Sequence, residues 1–183
     1  QDSETGSINE QIWRPALVFD PALDGGFGGF AEPIVMRDAR VYHTATTLPD
    51  GRVFLAGGQC DADAPAPTRD PDDPCNDFEP EVICVDGFSR TSEIFDPVSG
   101  TSTCGPVLAT GRAFHAAVKV GTDTVALIGG RDSSGALASV EFITAGDTAS
   151  IVSTAELAVA RSHHVAAMVP NQNAVVVVGG IEM

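Results

Sequence analysis

Short apolar runs and turn residues alternate along much of the chain, which is the pattern of a protein made of many short β-strands. Arg52–Ala56 is one such run, and it follows Pro49-Asp50-Gly51, a tight hairpin signal. Val125–Ile128 and Ala174–Val178 are almost continuously apolar, as is typical of strands buried on both faces. Each run closes on a Gly-Gly pair, where glycine permits positive φ and close backbone approach.

The three Gly-Gly pairs end three copies of one motif, in which an Arg stands three positions before a His. The copies run from Arg40 and His43 to Gly57-Gly58, from Arg112 and His115 to Gly129-Gly130, and from Arg161 and His164 to Gly179-Gly180. The second and third Arg are 49 residues apart, whereas the first and second are 72 apart because one connection carries an insertion. A period of about 50 residues is the length of one four-stranded propeller blade.

Two further strands are predicted after the glycines of each complete copy. Thr91–Phe95 and Ser139–Ile143 are the third strands, and the first of them runs into Asp96-Pro97, which favours a turn. Fourth strands are predicted around Thr103–Leu108 and Ile151–Leu157. Four strands per copy fit the spacing of the motif.

These features resemble the kelch family. The resemblance rests on the Arg-x-x-His starts, the Gly-Gly pairs and the strand Ser92-Glu93-Ile94-Phe95-Asp96-Pro97, and it covers most of residues 13–183. Kelch proteins fold as β-propellers with four antiparallel strands per blade, so the resemblance implies an all-β, kelch-type propeller. The wording from Tyr42 to Val53 looks most like bacterial secreted kelch proteins and the galactose-oxidase-like group.

The repeat divides the chain into blades and parts of blades. The predicted divisions are a polar N-terminal segment at 1–12, the outer strands of a preceding blade at 13–39, a blade with an insertion (59–87) at 40–111, a second blade at 112–160, and the inner strands of a further blade at 161–183. Propellers typically have about four to eight blades. We therefore expect only part of a full propeller, either a piece of a longer one or one that another chain completes.

Composition narrows the range of partners. The formal net charge is −15, with 10 Lys and Arg against 25 Asp and Glu. Such a surface repels nucleic acid and anionic membranes, so neither is an expected partner. It suits a cation or a basic partner, or simply keeps the protein soluble. No apolar run approaches the ~18 residues that a membrane-spanning helix needs.

Four cysteines lie in or beside the first complete blade, three of them in or at the edge of the insertion: Cys60, Cys75, Cys84 and Cys104. They allow three pairings, and the easier closure of short loops favours Cys60–Cys75 with Cys84–Cys104. Disulfides predict an oxidising location, which is the exterior, the cell surface or the periplasm. Zinc is the rival interpretation, but the Cys-x2-Cys spacing typical of zinc sites is absent.

The insertion is also strongly acidic. Clustered carboxylates can converge on Ca²⁺, which takes about six to eight oxygen ligands, so calcium is the one candidate cofactor. The alternative is a solvated acidic loop, because the central Gly and final Glu of an EF-hand are missing. The candidate ligands are Asp61, Asp63, Asp70, Asp72, Asp73 and Asp77.

The repeated Arg and His residues are predicted to be structural because they occupy equivalent positions. His43, His115 and His164 are expected to form hydrogen bonds within or between blades. The three motif Arg residues are expected to bind carbonyls or carboxylates at the turns between blades.

The function predicted from these features is a noncatalytic extracellular or cell-surface module that binds a protein or glycan. Binding residues commonly lie on loops that a rigid scaffold carries. One alternative is a subunit of a surface layer or filament, in which further copies cover the open blade edges. Another is a fragment of a galactose-oxidase-like copper radical oxidase, but that family uses two Tyr and two His at its site, and this chain has one Tyr, Tyr42.

Overall fold

The structure is a computed structural model that describes residues 15–60, 84–145 and 150–182. These residues form small antiparallel sheets, apart from one helical turn, α1 (Leu23–Gly26). In chain order the strands are β1 (Pro15–Ala16), β2 (Phe19–Asp20), β3 (Gly29–Phe30), β4 (Ile34–Val35), β5 (Thr44–Thr47), β6 (Val53–Ala56), β7 (Cys84–Val85), β8 (Phe88–Ser89), β9 (Ser92–Asp96), β10 (Thr101–Cys104), β11 (Ala116–Lys119), β12 (Thr124–Ile128), β13 (Arg131–Asp132), β14 (Gly135–Ala136), β15 (Ser139–Thr144), β16 (Ser150–Glu156), β17 (Ser162–Val169) and β18 (Ala174–Ile181).

Strands β5, β6, β9 and β10 form the first four-stranded sheet, here called sheet I, in the order β10-β9-β6-β5. The predicted Pro-Asp-Gly hairpin joins β5 to β6: the Leu48 N–H donates to the Arg52 carbonyl at 2.8 Å. Gly51 has a φ of +90°, which favours glycine at this turn. Tight turns join β5 to β6 and β9 to β10, whereas β6 and β9 pair across the long connection that carries the insertion and strands β7 and β8.

Strands β11, β12, β15 and β16 form sheet II with the same topology. The register is also the same: Val53 opposes Phe95 in sheet I, and Val125 opposes Ile143 in sheet II. A register shift between Phe142 and Ile143 lies in the pairing of the two outer strands. The repeated motif therefore folds into repeated sheets, as its spacing predicted.

The remaining strands form smaller sheets at the two ends of the described chain. The hairpin β17–β18, here called sheet III, corresponds to the two inner strands of sheets I and II. Near the N-terminal end, β1 pairs with β4 and β2 with β3, so residues 15–20 and 29–35 form an irregular antiparallel ribbon. This N-terminal ribbon lies where the sequence predicts outer strands.

The structure adds one short hairpin after each complete Gly-Gly pair. The sequence predicted that the third strand follows the glycines, but β7–β8 and β13–β14 come first. The carbonyls of Gly58 and Gly130 hold these hairpins, because they accept hydrogen bonds from Ser89 N–H and Leu137 N–H, each at 2.8 Å. Such two-residue pairs leave almost no periodic signal in the sequence.

The core consists of three apolar layers between successive sheets. Between sheets I and II lie Leu48, Phe54, Ala56, Ile94, Leu108, Val125, Leu127, Ile143 and Ala145. Between sheets II and III lie Val118, Ala126, Ile128 and Val140, with Ala166, Met168, Val175 and Val177 packed against them. Between the N-terminal ribbon and sheet I lie Met36, Leu55 and Phe95, with Ala16, Val18, Ile34 and Val53. The sheets are thus stacked face to face in chain order, as strands with alternating side chains allow.

The cysteine pairing differs from the predicted one. A disulfide joins Cys60 to Cys84, with their Cα atoms 6.0 Å apart, so the predicted pairing of each with another cysteine is wrong. Tertiary contact overrides loop length here, because Cys60 N–H bonds the Gly87 carbonyl at 3.1 Å and so lies beside the β7–β8 hairpin. Cys104 is also disulfide-bonded. This bonding indicates a location outside the cytoplasm.

Within the described ranges, no helix is long and apolar enough to cross a membrane.

Candidate functional site

The guanidinium of Arg40 is the centre of a buried polar junction in sheet I. Its Nη1 donates to the carbonyls of Gly57 and Thr91 at 2.8 and 3.1 Å. Its Nη2 donates to the Thr91 hydroxyl at 2.9 Å and to Glu93 Oε1 at 2.6 Å. The Arg40 side chain is fully buried, so this charge-assisted pairing offsets the cost of removing the guanidinium from water.

Arg112 repeats these contacts in sheet II, whereas the additional ion pair of Arg40 with Asp38, with N···O 3.4 Å, has no equivalent because Thr110 takes the place of Asp38. Its Nη1 donates to the carbonyls of Gly129 and Ser139 at 2.8 and 3.1 Å. Its Nη2 donates to the Ser139 hydroxyl at 3.0 Å and forms an ion pair with Glu141. The burial of Arg112 lowers the pKa of its guanidinium, although Glu141 opposes that shift.

Arg161 has only part of this arrangement. Its Nη1 donates to the Gly179 carbonyl at 3.0 Å and its Nε to the Val159 carbonyl at 3.4 Å. Within the described part of the chain no carboxylate reaches it, because sheet III has only the two inner strands. Arg40 and Arg112 thus bind both carbonyls and a carboxylate, whereas Arg161 binds carbonyls only in the described ranges.

Glu93 and Glu141 are functional residues of these junctions that sequence reasoning did not select. Glu93 accepts hydrogen bonds from Arg37 N–H and Asp38 N–H at 2.9 and 3.1 Å. Glu141 accepts from the N–H groups of residues 109 and 110 at 2.9 and 3.3 Å. Each carboxylate therefore ties the third strand to the segment that enters its own sheet. The available signal was a Glu at the same place in two otherwise apolar buried strands.

Burial is the largest single influence on Glu93 and disfavours its ionisation, but the positive charge of Arg40 and several hydrogen bonds together outweigh it. The N–H of Arg37 and the hydroxyl of Ser102 add hydrogen bonds to the ionised form, so the pKa of Glu93 lies below its usual value. The carboxylate is therefore ionised at neutral pH. It acts as a fixed acceptor and not as a proton donor.

The motif histidines lie between sheets. His115 is buried, and its Nε2 is 2.8 Å from the Thr44 hydroxyl of the preceding sheet. Burial, followed by the charge of Arg112, lowers the pKa of His115 to about 3. Burial, followed by the nearby motif Arg, also lowers the pKa of His43 and of His164. The three imidazoles are therefore neutral at pH 7.

The Gly-Gly pairs are required because the following sheet lies against them. A Cβ on Gly57 would stand 2.5 Å from the Arg112 carbonyl and 3.0 Å from the His115 ring. A Cβ on Gly129 would stand 2.6 Å from the Arg161 carbonyl and 3.0 Å from the His164 ring. Any side chain at these first glycines would separate neighbouring sheets.

Three rings form a stack along one end of the sheets, here called the aromatic ladder: Tyr42, Phe114 and His163. Tyr42 and Phe114 have ring centroids 4.2 Å apart, and Phe114 and His163 have centroids 4.1 Å apart. The backbones follow the same order, since Phe114 N–H donates to the Tyr42 carbonyl and His163 N–H to the Phe114 carbonyl. The ladder is partly exposed, with Tyr42 55% accessible.

All three ladder residues adopt positive φ, with values of 57°, 54° and 57° in chain order. Residues with a Cβ disfavour this conformation by about 1–2 kcal/mol each. The signal in the sequence was a ring immediately before each motif His. The predicted motif, which consists of Arg, His and the Gly-Gly pair, leaves this ring position out.

An apolar cavity of about 480 Å³ opens between the N-terminal ribbon and sheet I. Val53, Leu55 and Phe95 line one side, and Val18 and Met36 belong to the opposite side. Its lining is almost entirely apolar, and His43 is the one lining residue with an ionisable side chain. The cavity therefore suits apolar side chains better than a polar small molecule.

The metal prediction concerns the aspartates between 61 and 77, which lie outside the described residues together with Cys75. In the described ranges, no group of three or more His, Cys, Asp or Glu could hold a metal ion. Calcium binding by the acidic insertion stays a prediction. If the insertion binds calcium, a chelator should lower the melting temperature of the protein.

No protein-family model matches the chain, and no curated protein matches it. Solved structures do match, among them the structure of YjhT, whose fold is β-propeller-like. The match has a TM-score of 0.60 at 12% sequence identity and covers 84% of this chain. It covers 47% of YjhT, so this chain spans about half of that protein. At this identity the likeness shows the fold alone.

Proposed function

We propose that this chain is a noncatalytic part of an extracellular or cell-surface, kelch-type β-propeller that binds a protein partner through the aromatic ladder. The observation that carries the proposal is the ladder itself: three stacked rings held at positive φ on an accessible end of the sheets. Backbone strain of this kind clusters at functional sites, where the surrounding structure maintains it.

The arrangement of the rings favours a protein over a glycan. A sugar stacks on an open aromatic face, but the ladder covers both faces of Phe114 and one face each of Tyr42 and His163. The ladder therefore presents mainly a row of ring edges with the Tyr42 hydroxyl, and only its two end rings have a face without a stacked neighbour. Rigid amphipathic edges of this kind are typical of protein-binding surfaces.

Charge indicates the kind of protein partner. With a net charge of −15, the chain attracts a basic surface and accelerates its approach. The ladder would then provide the desolvated apolar contact, and the net negative charge of the chain would provide steering. A partner with an apolar patch surrounded by Lys and Arg fits both features.

The buried charges support a noncatalytic role. Arg40 and Glu93 bind each other and nearby backbone groups, and so do Arg112 and Glu141. Their hydrogen bonds hold strands and entering segments together, so these groups are committed to structure. The cell-surface or extracellular placement rests on the disulfide chemistry of Cys60 and Cys84.

The test compares the wild-type chain with Tyr42→Ala and with Val98→Ala, a control at an apolar residue that is 95% accessible. Each protein is cross-linked to a cell-surface extract, and partners are identified by mass spectrometry and then measured individually. We expect one protein whose affinity falls by about tenfold or more with Tyr42→Ala and is unchanged with Val98→Ala. Partners that bind both variants equally would refute the ladder as the binding surface, and glycan-array binding that needs Tyr42 would replace the protein with a glycan.

A further inference from the structure

Sheet III leaves one apolar face uncovered. Val165, Val176 and Val178 project from that face and are 68%, 48% and 56% accessible. Val176 and Val178 stand three and one positions before the glycine pair, as Phe54 and Ala56 do in sheet I. In sheet I those two positions are buried against the next sheet. The valine face of sheet III is therefore a packing face without its neighbour among the described residues.

In the described part of the chain, sheet I lacks a complete neighbouring sheet on its opposite face. Val53 and Leu55 correspond to Val125 and Leu127, which Phe54 and other side chains of the preceding sheet cover. In sheet I, the corresponding face lines the cavity of about 480 Å³. The N-terminal ribbon supplies outer strands on the far side of the cavity, but no inner hairpin. The cavity has room for a few apolar side chains, such as the valines that project from β17–β18.

Among the described residues, Gly179 lacks the backbone neighbour that the equivalent glycines have. The equivalent glycines, Gly57 and Gly129, each face the carbonyl of the next motif Arg, which a Cβ would meet at 2.5 or 2.6 Å. At Gly179 nothing lies within 4 Å of the Cβ position. Its φ is nevertheless +74°, the conformation that the other two adopt for this contact. The natural occupant is the carbonyl of another motif Arg, and Arg40 begins the chain's first motif copy.

The aromatic ladder is open in the same sense. Tyr42 has a ring neighbour on one side only, and so does His163 on the opposite side. If Tyr42 of one molecule stacked on His163 of another, the row of stacked rings would continue from one molecule into the next.

We infer that two copies of this chain associate head to tail, so that the valine face of sheet III in each copy fills the cavity beside sheet I of the other. Each copy contributes sheets I and II, and each sheet III is completed by the N-terminal ribbon of the other copy. The product has six sheets, within the range of about four to eight that closes a propeller. This inference does not rest on the proposed binding function.

The first test is the mass of the full chain by light scattering. We expect twice the chain mass of 18.9 kDa at micromolar concentration. Gly179→Ala should give the single-chain mass, because its methyl group would clash with the Arg40 carbonyl of the second copy. Gly51→Ala is the matched control: it also has positive φ, at +90°, and nothing lies within 4 Å of its Cβ position. It should remain a dimer, and circular dichroism should show that both variants are folded.

The second test strengthens the contact. Leu17 stands three positions before Asp20, as Glu93 does before Asp96, so it takes the place of the carboxylate that Arg161 lacks. Leu17→Glu should lower the dimer dissociation constant by about tenfold, because it gives Arg161 a charged acceptor. A monomeric wild type, an unchanged mass for Gly179→Ala, or open polymers in place of a dimer would each overturn the inference.

Discussion

Removing the carboxylate of Glu141 should be one of the most damaging single changes to this fold. Glu141→Ala leaves the guanidinium of Arg112 buried without its paired carboxylate, since both side chains are almost inaccessible to water. It also removes the acceptor that Ala109 N–H and Thr110 N–H use. Nothing else in the junction changes, because the carbonyls of Gly129 and Ser139 still bind Arg112.

The expected cost follows from burial. Breaking a buried ion pair by deleting one partner destabilises proteins by about 3–5 kcal/mol. For a protein of this size about 1 kcal/mol corresponds to roughly 2–4 °C in melting temperature, so the variant should melt about 6–20 °C lower. The control is Asp50→Ala, which breaks the exposed Asp50–Arg52 pair, with N···O 2.7 Å, and should cost about 0–1 kcal/mol.

The assay is urea unfolding followed by far-ultraviolet circular dichroism, with the free energy extrapolated to water. A double variant, Arg112→Met with Glu141→Leu, should be less destabilised than the sum of its two single variants, because it removes both charges. A loss below about 1 kcal/mol for Glu141→Ala, equal to that of Asp50→Ala, would refute the reasoning. It would mean that water reaches the guanidinium in the folded state.

Three further predictions follow from the junctions between sheets. The pKa of His115 is lowered to about 3, below its unfolded value of 6.5, so the unfolded chain binds an extra proton between these pH values. The contribution of His115 to stability should therefore be complete above pH 6.5 and should fall by about 1.4 kcal/mol per pH unit below it. In melting curves recorded as a function of pH, His115→Asn should reduce this slope. Replacing Cys60 and Cys84 together by Ala should cost about 3 kcal/mol in urea unfolding, given a separation of 24 residues, and an unchanged midpoint would show that the bond does not constrain the unfolded chain. Gly57→Ala should lower the melting temperature far more than Gly51→Ala, because only its Cβ would meet the Arg112 carbonyl at 2.5 Å; equal losses would attribute the effect to φ alone.

Much of the sheet architecture was predictable from the sequence, because burial leaves a periodic record. The runs before Gly57 and Gly129 became β6 and β12, and the hairpin at Gly51 formed as its turn residues predicted. Equivalent positions in the copies also predicted polar ligands for Arg40 and Arg112. Each of these features depends on neighbouring residues or on repetition, both of which one sequence displays.

The partners in each junction were much harder to predict. Glu93 lies 53 residues from Arg40, and its role appears only when the third strand pairs with the second. The disulfide of Cys60 with Cys84 depends on the small β7–β8 hairpin, whose Asp86-Gly87 turn signal was not used in predicting the pairing. Loop length favoured another pairing, but the geometry of the folded chain decided it.

The sequence by itself determined that this protein is a series of repeated antiparallel sheets, since alternation of apolar residues, turn chemistry and the spacing of Arg, His and glycine are local properties. Only the tertiary structure decided what those sheets present to their surroundings. The stacked rings of Tyr42, Phe114 and His163, the empty contact at Gly179 and the cavity beside sheet I all arise between units. Distances between units depend on how whole sheets pack, and residues far apart in the chain carry no local signal of that packing.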